Sequence, residues 1–166
     1  EDLAANVLDR APRLLVSIVP AEGSTSPVPG FRTWTELGAW YQKKSAGLTA
    51  LATMPATLKS TDATQPSFRS ALYVRDQVRY VSKVVGIGGY IARPAKETSE
   101  TLWGDCKDKA TLFVAALRLL GFDAVTVLAS SSGGVDRALP SMEQFDHAIA
   151  YVSLPEGRVY TDLTVA

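Results

Sequence analysis

The stretch Gly104-Asp105-Cys106-Lys107-Asp108-Lys109-Ala110, running into TLFVAALRLLG, constrains this chain of 166 residues more than any other. Asp105 is a strong helix N-cap, because its side-chain oxygen can accept from the free amides of the first turn. Leu112, Phe113, Ala116, Leu117 and Leu120 then recur at helical spacing and make a broad apolar face. Gly121 is the expected stop. A helix with so wide a face needs a layer to bury it, and the next runs supply one. FDAVTVLAS (122–130), FDHAIAYV (145–152) and RVYTDLT (158–164) all read as strands. The last two flank a Pro-Glu-Gly turn and are close enough to form a hairpin. Helices first, then an antiparallel sheet, is an α+β order.

Upstream, the apolar run 14–19 reads as a strand. The 20–30 stretch, rich in Pro, Gly and small polar residues, is the best internal boundary. We therefore expect 1–30 to be a remnant strand and linker of a preceding domain and 31–166 to be the principal domain. Thr33-Trp34-Thr35-Glu36 has capping-box spacing, with Trp34, Leu37 and Tyr41 on one face of the helix that follows. Residues 53–66 read as loop. A second helix is expected from Pro66 to about Lys83, and residues 84–95 are expected to be an extended surface loop ending at Arg93-Pro94.

Seventeen basic and 17 acidic side chains give a formal charge of +0, which offers no nucleic-acid footprint and no polybasic membrane patch. No apolar run reaches the length of a transmembrane helix. No G-x-G-x-x-G is present. The chain holds one Cys and one His, too few for an internal disulfide, a thiolate-rich zinc site or a His-rich metal site. The start is not a signal peptide and lacks an initiator Met, and the end has no cap or polar tail. Both ends read as cut, so the chain is expected to be a segment of something longer.

The chemistry concentrates on three residues. Cys106 falls in the first turn of a helix, where free amides favour a thiolate. Taken alone it would read as a core thiol, but four charged neighbours argue for an open environment. His147 shares a strand face with Phe145, Ile149 and Tyr151, so it should pack toward the core. Folding the hairpin about Leu154-Pro155 puts Asp162 across from His147. A thiol, an imidazole and a carboxylate in this order suit acyl transfer: nucleophile, proton carrier and orienting group. The Cys106 N–H is the natural first oxyanion donor. Gln77, Tyr80 and Tyr90 are candidates for the second. Trp103 could wall the pocket or belong to the core. An imidazolium facing a thiolate should hold the Cys106 pKa below its ordinary value and that of His147 above.

The blocks WGDCKDKATLFVAALRLLGFDAVTVL (103–128), LPSMEQFDHAIAYV (139–152) and YTDLT (160–164), with the upstream 73–106 segment, resemble bacterial members of the transglutaminase-like superfamily. The resemblance covers about 66–164. It implies a papain-like fold, with the nucleophile at a helix N-terminus packed on an antiparallel sheet. It assigns Cys106 as nucleophile, His147 as general base and acid, and Asp162 as the orienting residue. It places substrate near Trp103, Gly104 and Tyr90. The W-x-x-L-x-x-W-Y helix (34–41) is similar to the tail of a domain that precedes this module in large bacterial surface or periplasmic proteins, which implies that setting. Relatives commonly carry Asn before the His, where this chain has Asp146, and VVGIGGYI (84–91) departs from their usual G-x-x-x-Y-x-P run.

The expected activity is cysteine-dependent acyl transfer on a peptide or protein substrate, with no cofactor and no metal. Release to water, as in a peptidase or amidase, is favoured over release to an amine, as in a transglutaminase, because nothing marks an amine site. A non-catalytic peptide-binding or structural module is the alternative.

Overall fold

The computed structural model describes residues 16, 19, 21, 30–55, 66–82, 89–131, 133–155 and 157–165. Most of the expected strand over 14–19, of the linker after it and of the 84–91 run lies outside them. In chain order the helices are α1 (Trp34–Ser45), α2 (Pro66–Gln77), α3 (Ala95–Thr101) and α4 (Cys106–Leu119). The strands are β1 (Arg79–Tyr80), β2 (Trp103–Gly104), β3 (Asp123–Ala129), β4 (His147–Leu154) and β5 (Gly157–Thr161).

Helix α4 is the centre of the fold. Asp105 accepts from the Asp108 N–H, and the Asp108 carboxylate accepts from the Asp105 N–H, closing a capping box. At the far end Gly121 takes φ +85. The Gly121 and Phe122 amides donate back to Arg118 and Leu117 carbonyls, at 3.0 Å each. This termination needs a residue that tolerates the left-handed region, hence glycine. The helix is buried from Lys107 through Leu117, not along one face. Strands β3 and β4 cover one side, and α2 and α3 cover others.

Strands β3, β4 and β5 form a three-stranded antiparallel sheet in the order β3-β4-β5. Ala129 faces His147 across the first ladder. Ala150 faces Thr161 and Tyr151 faces Tyr160 across the second. The hairpin register is therefore two residues later than the spacing argument anticipates. The shift is even, so no side chain changes face. Which face is buried does differ from expectation. Ala148, Ala150 and Val152 are buried, while His147, Ile149 and Tyr151 lie on the half-buried opposite face. Small side chains on the helix side let α4 approach the sheet closely; the bulky set, His147 included, is left outside.

Two further elements differ from the sequence reading. Helix α2 stops at Gln77, because Arg79 and Tyr80 leave to pair in parallel with Trp103 and Gly104. Helix α3 starts directly after Arg93-Pro94, and its short, polar sequence carries no apolar repeat. It ends at Leu102, whose φ of 53 is left-handed without being glycine, a strain of about 1 kcal/mol. The Leu102 and Gly104 carbonyls accept from Arg79 and Val81 amides, each at 2.9 Å. That pairing helps to hold the turn in which the nucleophile candidate sits.

Helix α1 starts as expected: Thr33 accepts from the Glu36 N–H at 3.1 Å. The return bond goes to the Arg32 N–H instead of the cap's own amide. Its Trp34 and Tyr41 pack with Phe31, Leu37, Met142 and Phe145 in a second apolar cluster. Trp34 Nε1 also donates to the Arg137 carbonyl at 2.7 Å.

Candidate active site

Cys106 is the first residue of α4, half-buried and free. It shares a narrow cleft with Gly89, Tyr90, Leu128, Phe145 and His147. Its four charged neighbours do not mark an open environment, contrary to expectation. Asp105, Lys107, Asp108 and Lys109 are 3–5% exposed. Each charge is answered: Lys107 pairs with Asp105, Arg93 with Asp108, and Lys109 Nζ donates to the Arg75 carbonyl at 2.9 Å. Buried charge is tolerated only when paired in this way.

His147 Nε2 lies 2.7 Å from Asp162 Oδ2. The ladder does not bring them together, since β5 ends at Thr161. Asp162 instead turns its carboxylate back, and Oδ1 accepts from the Thr164 amide and hydroxyl at 2.9 and 2.7 Å. Burial alone would raise the Asp162 pKa. The Thr164 hydroxyl, the His147 ring and the Thr164 N–H outweigh that and hold it below the ordinary carboxylate value. An ionised Asp162 accepts from Nε2–H, which fixes the tautomer and leaves the Nδ1 lone pair as the ring's basic site.

The thiol departs from expectation. Burial pushes Cys106 above the ordinary cysteine value, and the Asp105 carboxylate adds to that push. The Ala148 and Lys107 backbone amides and the Lys107 charge pull the other way without prevailing. A helix N-terminus is thus not enough here: the thiol is half out of water, and Lys107 is already committed to Asp105. Two phenols stand near the sulfur. Tyr41 is pushed up to about 12 by burial and then by Cys106. Tyr80, half-exposed, is raised by burial and then by Cys106, Asp105 and Asp162. Both stay protonated at neutral pH and are available as donors.

Of the residues expected to contact substrate, Tyr90 lines the cleft. Trp103 lies under the Arg93 guanidinium, 3.8 Å from it. Gly104 is packed against Asp108, where an added Cβ would come within 2.6 Å of the Asp108 Cβ. Gln77 ends α2. Asp146 gives both oxygens to Ser131, accepting from its amide and hydroxyl at 2.7 Å each. Those bonds, the amide first, hold it below the ordinary carboxylate value. Sequence reasoning missed Arg93, Tyr41 and the Ala148 amide, which come near the cysteine only through packing. Among the described residues, no three His, Cys, Asp or Glu side chains converge as a metal site.

A helix that begins on a cysteine and packs against an antiparallel sheet carrying the histidine is the papain-like α+β arrangement. The chain belongs to the transglutaminase-like superfamily, whose family model matches residues 52–160. Its fold is similar to the crystal structure of a "putative protease" from Parabacteroides distasonis ATCC 8503, with a TM-score of 0.62 at 15% identity. That likeness covers 92% of this chain and 31% of the other, so the chain spans under a third of that protein. No curated protein matches the chain. No helix among the described residues is long and apolar enough to cross a membrane.

Proposed function

We propose that this domain is a cysteine-dependent acyl-transfer enzyme acting on peptide or amide bonds and releasing the acyl group to water. The observation that carries the reading is the His147–Asp162 contact at 2.7 Å, made by a histidine that lines the same cleft as Cys106. Because the thiol rests protonated, His147 acts as a general base at the moment of attack. Sulfur adds to the carbonyl carbon as its proton passes to Nδ1. The oxyanion meets the Cys106 N–H, a free amide of the α4 first turn. Collapse expels the amine, which takes the proton from His147. Water then attacks the thioester with the same base, giving a carboxylic acid and the free thiol.

Superfamily membership and the Parabacteroides neighbour support a cysteine-protease-like role. The same reading makes Cys106, His147 and Asp162 the triad, Tyr90 a substrate contact, and the chain part of a longer protein at the bacterial surface or in the periplasm. The test is mass spectrometry after incubation with a bacterial peptide and peptidoglycan library, comparing wild type with Cys106→Ala. Products that gain water and depend on Cys106 are expected. A wild type that alkylates at Cys106 yet leaves every library member intact would instead favour a peptide-binding module.

A further inference from the structure

Arg93 makes three side-chain hydrogen bonds beside the nucleophile turn. Its backbone N–H donates to Asp108 Oδ1 at 2.8 Å and its Nε to Asp108 Oδ2 at 3.1 Å. Nη1 donates to Glu97 Oε1 at 3.0 Å, and Nη2 donates to the Trp103 carbonyl oxygen. The guanidinium also lies over the Trp103 ring. The Arg93 side chain is 16% exposed and that of Asp108 5%. Gly104 completes the knot, since a Cβ there would meet Asp108 at 2.6 Å and Arg93 Nη2 at 3.2 Å.

These contacts fall on both sides of Cys106. Trp103 is three residues before it, and Asp108 is two residues after it. Asp108 is also the capping-box partner of Asp105. One planar fork therefore pins both ends of the Trp103–Asp108 turn, and Cys106 is held between them. We propose that Arg93 is a positioning residue for acyl transfer: it fixes the direction of the Cys106 N–H that receives the oxyanion, without touching substrate. The catalytic half of this rests on the acyl-transfer reading; the structural half does not. A donor aimed at a developing oxyanion must be placed closely, because a 1 Å error can cost about 10²-fold in rate. Lysine cannot take Arg93's place, since it lacks the fork that reaches Asp108 and the Trp103 carbonyl together.

The test uses two reagents that ask different things of the same sulfur. Iodoacetamide alkylates by displacement at carbon and forms no oxyanion. p-Nitrophenyl acetate acylates through a tetrahedral oxyanion. Arg93→Lys and Arg93→Met would be made in the 166-residue chain and assayed at a temperature where circular dichroism reports both as folded. In Arg93→Lys, acylation should fall on the order of 10²-fold while alkylation stays within about twofold of wild type. Amide exchange at Asp105 and Asp108 should quicken about tenfold, with residues 112–117 of the same helix unchanged. Acylation and alkylation falling in parallel, or exchange rising evenly along α4, would make Arg93 a fold staple and overturn the proposal. Unchanged exchange and acylation in Arg93→Lys would overturn it as well. If the wild type alkylates but is never acylated, the acyl-transfer reading fails, and the exchange pattern alone decides whether Arg93 holds the turn.

Discussion

At the scale of single residues, environment matters more than position in the chain. Cys106 begins a helix, yet burial and Asp105 leave its thiol above the ordinary cysteine value. Alkylation by iodoacetamide should therefore rise through a midpoint above about 8.5 in the folded protein and return to that value on denaturation. A folded midpoint well below it would mean a resting thiolate and restore the ion-pair mechanism. Asp162 shows the opposite balance, because its hydrogen bonds beat its burial. Its pKa is lowered on folding, so its contribution to stability is full above the unfolded value near 3.9 and is lost as pH falls below that through the folded value. Melting temperatures of wild type and Asp162→Asn should differ at pH 5 and above, and the gap should close below about pH 4. The same substitution should cut turnover on the order of 10³-fold, because an amide no longer enforces the Nε2–H tautomer.

At the scale of elements, α4 carries both much of the core and the nucleophile candidate Cys106. Its first turn holds a buried Lys107 whose partner is the capping residue itself. An ordinary N-cap is worth about 1 kcal/mol. Asp105→Ala should cost about 3 kcal/mol or more, because it also strands a buried ammonium. Adding Lys107→Met should recover much of that loss in urea unfolding. Additive losses from the two single variants would mean that the Lys107–Asp105 pair is not coupled. The element also explains why β4 places alanines toward the helix. Ala148 and Ala150 give α4 its close approach, and that choice turns His147 toward the cleft.

At the scale of the molecule, α1 is joined to the cleft through Trp34. Its indole meets Phe145 edge-on at 6.1 Å between centroids and donates to the Arg137 carbonyl, 103 residues away. Phe145 lines the cleft beside Cys106. Trp34→Ala should lower stability by about 2 kcal/mol, less than a fully buried Trp because Trp34 is only half-buried. It should also alter the iodoacetamide rate at Cys106 through the loosened Phe145 wall. An unchanged rate in a destabilised variant would show that α1 braces the fold without shaping the cleft.

Local rules were enough for much of this protein. The cap at Asp105, the stop at Gly121, the three strands and the α+β order all follow from short-range chemistry that neighbours in sequence can satisfy. The candidates Cys106, His147 and Asp162 stand out in sequence because each is a rare or well-placed residue type on a recognisable element; the structure brings His147 to Asp162 and lines one cleft with His147 and Cys106. What packing decided was hidden from spacing. The bulky face of β4 looked like the core face, but the approach of α4 selected the alanine face. Charges around Cys106 looked like solvent exposure, but Arg93, Asp105 and the Arg75 carbonyl answer them from elements up to 34 residues away. The hairpin register left Asp162 beyond the ladder, and Thr164 turned its carboxylate back to His147. In each case a desolvated group took its partner from wherever the fold brought one. Local sequence determined the elements and the candidate site residues; tertiary burial determined which face is inside and which way the thiol pKa moves.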